Sequence, residues 1–249
     1  MQIVSSLSPL ALEHEGGTAV AMGYFDGIHI GHRAVIEGAV EWAKAHGAAP
    51  AVFTFKLPAD SKMKGRRLLS TEDKHALIAS LGVEYYLCPE FEEIRAMTPE
   101  QFVYGIVQDC HAKALFCGEN FTFGAKAAGT PELLKELCAP LGVEVVVVPM
   151  AQFEEKPVSS TRIRTALEGG DVPAANAMLG MPYAIRFAVQ HGRVWAAHWA
   201  CPPSTRSTRR ASRCPATAST SPAPGSAIPG IPRPPAWGPG PLSIRTRPR

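Results

Sequence analysis

An apolar run, Thr18-Ala19-Val20-Ala21-Met22, passes through Gly23-Tyr24-Phe25-Asp26-Gly27-Ile28-His29-Ile30-Gly31-His32 into a stretch whose apolar residues recur at helical spacing up to Gly47. This reads as a buried strand, a glycine-rich turn and a helix. The pattern repeats. Ala49 to Phe55, Val83 to Cys88, Ala114 to Cys117 and Val143 to Val148 read as strands, and helix starts are marked by Ser70, Thr98-Pro99 and Thr130-Pro131. Ser and Thr side chains cap the free N–H groups of a first turn, and Pro suits the first helical position. Strands alternating with helices over short connections require right-handed crossovers, so the expected fold is α/β, a Rossmann-like doubly wound parallel sheet. The run VEVVVV at 143–148 is expected to be covered on both faces. Such sheets bind ligands at the carboxyl end of a strand and the amino end of a helix, where backbone N–H groups and the helix dipole favour an anion. His29 and His32 occupy such a turn, and Gly31 between them would let the backbone approach a phosphate closely.

Charge and cysteine content narrow the classes further. The net charge of +3 is unevenly spread: residues 194–249 hold eight Arg and no acidic residue, whereas the remainder carries 17 basic and 22 acidic residues, a balance of −5. The basicity therefore belongs to the tail, and the body carries no charge footprint for nucleic acid. No run is long and apolar enough to span a membrane, and the opening MQIVSSLSPLALEHEGG lacks a charged leader, so a cytoplasmic location is expected. Cys88, Cys110, Cys117, Cys138, Cys201 and Cys214 show no metal-ligand spacing, so reduced, mostly buried thiols and no protein metal site are expected. Oligomeric state is not written in the pattern.

Three loops stand in a specific order: GYFDGIHIGH, then GENFTFG at 118–124, then VSSTRIRTAL at 158–167. With LLSTEDKHALIASLGVEYYL, MTPEQFV and ALEGGDVPAANAMLGMPY around them, they resemble the FAD synthetase domain of the bacterial bifunctional riboflavin kinase/FAD synthetases, within the HxGH nucleotidyltransferases. The resemblance spans roughly residues 17 to 192. Class I aminoacyl-tRNA synthetases share the bare HIGH, but Lys62-Met63-Lys64-Gly65 follows it far too soon to serve as their KMSKS loop.

The resemblance implies transfer of AMP from ATP to FMN, giving FAD and pyrophosphate. ATP with magnesium and FMN are the small-molecule substrates; no membrane or specific nucleic-acid partner is implied. Adenylyl transfer needs in-line positioning and donors around the developing charge rather than covalent help. The resemblance gives His29 and His32 to the ATP phosphates and the transition state, Ser160 and Thr161 to phosphate contacts, and Arg164 to the departing pyrophosphate. Gly23, Phe25, Asp26, Gly31, Asn120 and Arg162 would surround the nucleotide, and Phe55, Phe121 and Phe123 would meet the flavin. Read from the residues alone, Ser160 and Thr161 also suit an ordinary helix cap with solvated arginines, and Asn120 suits a turn that bonds its own backbone. Asp26 suits local loop structure, and core packing suits at least one of Phe121 and Phe123. One departure stands out: where the family continues its second strand with an acidic residue and Pro-His-Pro, this chain has FTFKLPADS. Arg66 and Arg67 after it are candidates for the FMN phosphate or for an exposed basic loop. Two rivals stay open, another HxGH transferase with a different phosphorylated acceptor, and a non-catalytic flavin- or nucleotide-binding remnant.

The expected domain is 1–192, followed by an aberrant, disordered tail over 193–249 in place of a riboflavin kinase domain. Twelve of 23 prolines and three of four tryptophans fall in 194–249, where no useful strand pattern survives. The segment Ala184 to Gln190, which would enter a kinase domain, is expected to lack its sheet partner. A permitted codon set for Val194 to Arg206 reads VGRTLGVPTINQ from its third base, similar to the GRxLGxPTxN opening of those kinase domains. Our hypothesis is a frameshift near Arg193; resequencing the DNA there tests it, and an alternative frame without kinase-like sequence would exclude it. The rival reading is a natural basic tail that meets acidic partners.

Overall fold

A computed structural model describes residues 1–5, 14–58 and 67–186, and the backbone of 189–191 and 204–206. Its centre is a six-stranded sheet of β1 (Gln2–Val4), β2 (Thr18–Met22), β3 (Ala49–Phe53), β4 (Tyr85–Leu87), β5 (Ala112–Gly118) and β6 (Glu144–Val148). The strands lie in the order β1-β4-β3-β2-β5-β6, and every neighbouring pair is parallel. The doubly wound reading therefore holds. β2 and β3 are wholly buried.

The helices form where their caps fix them. α1 (Ile30–His46) begins at His29 and ends at Gly47, whose φ of 62° is left-handed. In α2 (Thr71–Ser80) the Ser70 hydroxyl accepts from the Asp73 N–H at 3.0 Å. After the short α3 (Phe91–Ile94), α4 (Pro99–Asp109) carries a reciprocal Thr98–Gln101 capping box, and Thr130 caps α5 (Pro131–Cys138). α6 (Ser160–Glu168) and α7 (Val172–Leu179) follow, capped by Ser159 and Asp171.

Strand alternation sorts the core into two layers. Ala19 and Ala21 of β2 pack on the α1 side with Ile36, Val40 and Ile78. Val20 and Met22 pack on the other side with Phe102, Ile106 and Leu134 of α4 and α5. Full burial of such side chains contributes about 1.5–3 kcal/mol each. A third cluster joins Leu68 to Ile163, Leu167 and Met178 of α6 and α7.

Two expectations need correction. VEVVVV is an edge strand, and β6 is only half-buried because, among the described residues, no strand covers its far side. β1 was not expected: three residues at the chain start give no readable period, yet their backbone pairs with β4. Cys110, Cys117 and Cys138 are buried and free, and burial raises their thiol pKa values to about 12, 11 and 11.

The chain divides into two units, Met1–Thr217 and Ala218–Arg249, and all described residues fall in the first. A β7–β8 hairpin (Gln152–Phe153, Lys156–Pro157) precedes α6. β9 (Val189–His191) pairs antiparallel with β10 (Ser204–Arg206), so a short strand does exist in the Pro- and Arg-rich segment. The rest of 193–249, with Cys201 and Cys214, lies outside the described residues, as do Arg66 and Lys62 to Gly65. Among the described residues no helix is long and apolar enough to cross a membrane.

Candidate active site

From β2 the chain order runs outward to β3 and β4 on one side and to β5 and β6 on the other. The reversal leaves a crevice between the carboxyl ends of β2 and β5, the place where such sheets bind ligands. GYFDGIHIGH forms its first lip and GENFTFG its second.

The first lip is bent into unusual backbone. Phe25 and Ile28, both buried, have φ of 52° and 45°. Left-handed backbone at non-glycine residues costs roughly 1–2 kcal/mol each, so the packing of these two side chains must hold the loop. Gly23 makes room, since a Cβ there would stand 2.9 Å from the Phe25 ring, whereas a Cβ at Gly31 would meet the His29 ring at an ordinary 3.4 Å.

The His29 and His32 rings stack at 3.6 Å, and Phe25 meets His32 edge-on at 5.3 Å. His29 Nδ1 accepts from the His32 backbone N–H at 3.3 Å, which places the proton of neutral His29 on Nε2. Burial lowers the His29 pKa to about 4. His32 is lowered well below its usual value, first by burial and then by the charges of His29 and Lys74. Both rings are thus neutral near pH 7, donors rather than cations. His32 Nδ1 is buried without a hydrogen-bond partner among the described residues. An orphaned polar atom costs roughly 1–3 kcal/mol.

Asp26, 6% exposed, wires this lip to two other segments. Its Oδ1 accepts from the Leu68 N–H at 2.9 Å, its Oδ2 pairs with Arg164 Nη2, and its backbone oxygen accepts from the Ser160 hydroxyl at 2.8 Å. The N-terminus of α6 is thereby drawn to the first lip. Ser159 caps that helix by accepting from the Arg162 N–H, and Thr161 is exposed at its first turn. Arg162 points elsewhere: its Nη1 donates to the carbonyls of Phe153 and Lys156, and its guanidinium lies over the Phe153 ring. Ser160 and Arg164 therefore meet Asp26, whereas Arg162 braces the β7–β8 hairpin.

The second lip is plainer. Asn120 is exposed in a turn after β5. Phe123 is buried against Phe102, and Phe121 is half-buried and stacked on Phe123 at 5.8 Å. Phe55 stands apart from both, between Tyr24 and Phe91, on the wall of a cavity of about 240 Å³ beside the crevice. Arg67 and Lys74 also line it. A cavity of about 400 Å³ opens at the opposite, amino edge of the strands near Gly17 and Ala112, away from the lips. Lys74, Thr54 and Leu68 were not signalled by the sequence. Lys74 follows the helix start at Ser70, where no binding motif marks it, and the other two act through a hydroxyl and a backbone N–H.

Stacked neutral imidazoles and two helix N-termini at the switch point of a doubly wound parallel sheet define an α/β protein of the HxGH nucleotidyltransferase kind. Residues 11–162 match the FAD synthetase family, and the chain belongs to that family. It is 36% identical over 191 residues to a bifunctional riboflavin kinase/FMN adenylyltransferase of Bacillus subtilis, covering 74% of this chain and 60% of that protein. A FAD synthetase of Listeria monocytogenes is 28% identical over 180 residues, covering 70% of this chain and 73% of that one. The chain thus spans about 60% of the length of the bifunctional relative. Among solved structures, a macrolide-efflux protein from Streptococcus pneumoniae superposes with a TM-score of 0.74 at 25% identity, over 86% of this chain and 71% of that one.

Proposed function

We propose that this chain is an FMN adenylyltransferase, making FAD and pyrophosphate from ATP and FMN. The observation that carries the reading is the wiring of Asp26, which brings the paired histidines and the N-terminus of α6 to one lip of the switch-point crevice in a FAD synthetase family member. A phosphate oxygen of FMN attacks the α-phosphorus of ATP; that P–O bond forms as the bond to the bridging oxygen of the β-phosphate breaks. The attacking oxygen is already deprotonated at neutral pH and needs no base. What remains for the protein is alignment and charge.

His29 Nε2–H and the His32 ring are assigned to the nucleotide phosphates. The first-turn N–H groups of Ser160 and Thr161, which lack helical acceptors, face the same charge. Arg164, anchored by Asp26, is assigned to the leaving pyrophosphate. Asn120 closes the second lip, with Phe121 and Phe123 beneath it as packing. Magnesium enters with ATP as part of the substrate. Among the described residues no group of three or more His, Cys, Asp or Glu is placed to hold a metal ion. The reaction is assigned to the cytoplasm, where its nucleotide substrate is made.

We assign no riboflavin kinase activity to the chain, since 193–249 carries none of the expected kinase opening. Purified protein incubated with ATP, magnesium and either FMN or riboflavin tests both statements. FAD from FMN is the expected product. FMN from riboflavin would overturn the second statement, and turnover only with a different phosphorylated acceptor would overturn the first.

A further inference from the structure

The cavity beside the crevice lies over the carboxyl ends of β3 and β4, walled by Tyr24, Phe55, Tyr86 and the first turn of α2. Lys74 reaches into it from α2. Its Nζ donates to the Tyr24 carbonyl at 2.6 Å and to the Thr54 hydroxyl at 3.3 Å. The same nitrogen stands 5.2 Å and 5.9 Å from the Tyr24 and Tyr86 ring centroids. An ammonium has three N–H groups, so one remains for whatever enters the cavity.

Among the described residues no carboxylate forms a hydrogen bond or ion pair with this cation. Asp26, in the wall, acts on it only from a distance, and its two oxygens are held by Leu68 N–H and Arg164. Glu90, at the rim, is paired with Lys56. A withdrawn, unneutralised ammonium is costly unless an anion joins it. Burial accordingly lowers the Lys74 pKa to about 8. Lys74 is also near enough to His32 for its charge to depress that imidazole. The ammonium therefore stands between the crevice that holds the nucleotide and the cavity next to it. The acceptor phosphate must bring its oxygen to roughly 3 Å from the α-phosphorus, and this is the path it would take.

We propose that Lys74 reads the acceptor's phosphate monoester: held by the Tyr24 carbonyl and the Thr54 hydroxyl, its ammonium takes one phosphate oxygen and leaves another facing the crevice. The inference rests on the FMN adenylyltransferase reading. It makes Lys74 a specificity residue that separates a phosphorylated flavin from riboflavin.

Flavin fluorescence titrations of the full chain test it. FMN and riboflavin are titrated separately into wild type, Lys74→Met and Lys74→Arg, with thermal melts confirming that each variant folds. Wild type should prefer FMN. Lys74→Met should lose about ten- to a hundredfold in FMN affinity, the worth of one charge-assisted hydrogen bond, with riboflavin affinity unchanged; Lys74→Arg should recover most of the loss. Equal loss for both flavins, no loss for FMN, or equal binding of both by wild type would overturn the proposal. If Lys74→Met does not fold, Lys74→Gln is read in its place: a loss of FMN affinity with riboflavin affinity unchanged supports the assignment, and equal loss for both flavins or no loss for FMN overturns it. Turnover of wild type with ATP and FMN is measured in parallel. FAD formation with an unaltered Lys74→Met isotherm sinks this inference alone, whereas a phosphate-specific loss without FAD formation sinks the parent reading alone.

Discussion

The two lips of the crevice are built in opposite ways. On the first, polar groups are tied inward: Asp26 to Leu68, Arg164 and Ser160, and the Tyr24 carbonyl to Lys74. Two buried residues there sit in left-handed backbone. On the second, Asn120 faces outward, and the phenylalanines below it join the ordinary core. Strain and hydrogen-bond wiring persist only where surrounding structure over-determines them, which is common where a site must be pre-organised. The first lip is therefore the candidate working surface and the second its wall.

Four experiments press on that contrast. The largest expected effect is His29→Ala, which should cut FAD formation by about a hundred- to a thousandfold, the worth of a lost transition-state donor. His46→Ala, whose ring stacks on Trp42 at the end of α1, should leave turnover unchanged; equal losses in a steady-state assay would erase the distinction. Next come two variants that destabilise in different ways. Asp26→Ala removes the partly buried ion pair with Arg164 and the acceptor of the Leu68 N–H, and should cost about 3–5 kcal/mol together with turnover. Phe123→Ala should cost about 3–5 kcal/mol through its cavity yet keep turnover per folded molecule. Denaturant melts paired with rates separate them, and normal turnover in folded Asp26→Ala would make the wiring of the first lip structural only.

The third experiment is a pH series. His29 titrates near 4 in the fold and near 6.5 when unfolded. Between those values the unfolded chain binds more protons, so stability should fall as pH drops from about 6.5 toward 4. Replacing His29 by Gln should flatten this slope in thermal melts recorded from pH 7 to 5; an unchanged slope would assign the acid sensitivity to other groups. The smallest effect belongs to the β7–β8 hairpin turn. Glu154 and Glu155 have φ of 51° and 59°, a turn that favours Asn-Gly. Glu155→Gly should raise stability by about 1 kcal/mol with turnover unaltered. A matching loss of turnover would bring the hairpin, and Arg162 that braces it, into the site.

Much of this was legible in the chain. Alternating apolar runs, Ser/Thr caps and closing glycines set five strands and the main helices, because local period and capping chemistry act over a few residues. GYFDGIHIGH at a strand-to-helix junction set the place of the site for the same reason. Other features depended on partners distant in sequence. β1 is a strand only because β4 offers it a backbone edge. β6 is half-exposed because it falls last in the sheet order. Arg162 and Arg164 are two residues apart, yet helical geometry sends one to the hairpin and the other to Asp26. Lys74 belongs to a helix whose sequence marks only its start at Ser70, and the closing of α2 over the ends of β3 and β4 withdraws its ammonium from water. Local chemistry in the sequence determined which elements form and where an anion-binding turn lies. Burial and long-range pairing, which depend on the whole sheet order, decided which side chains face that turn and with what charge.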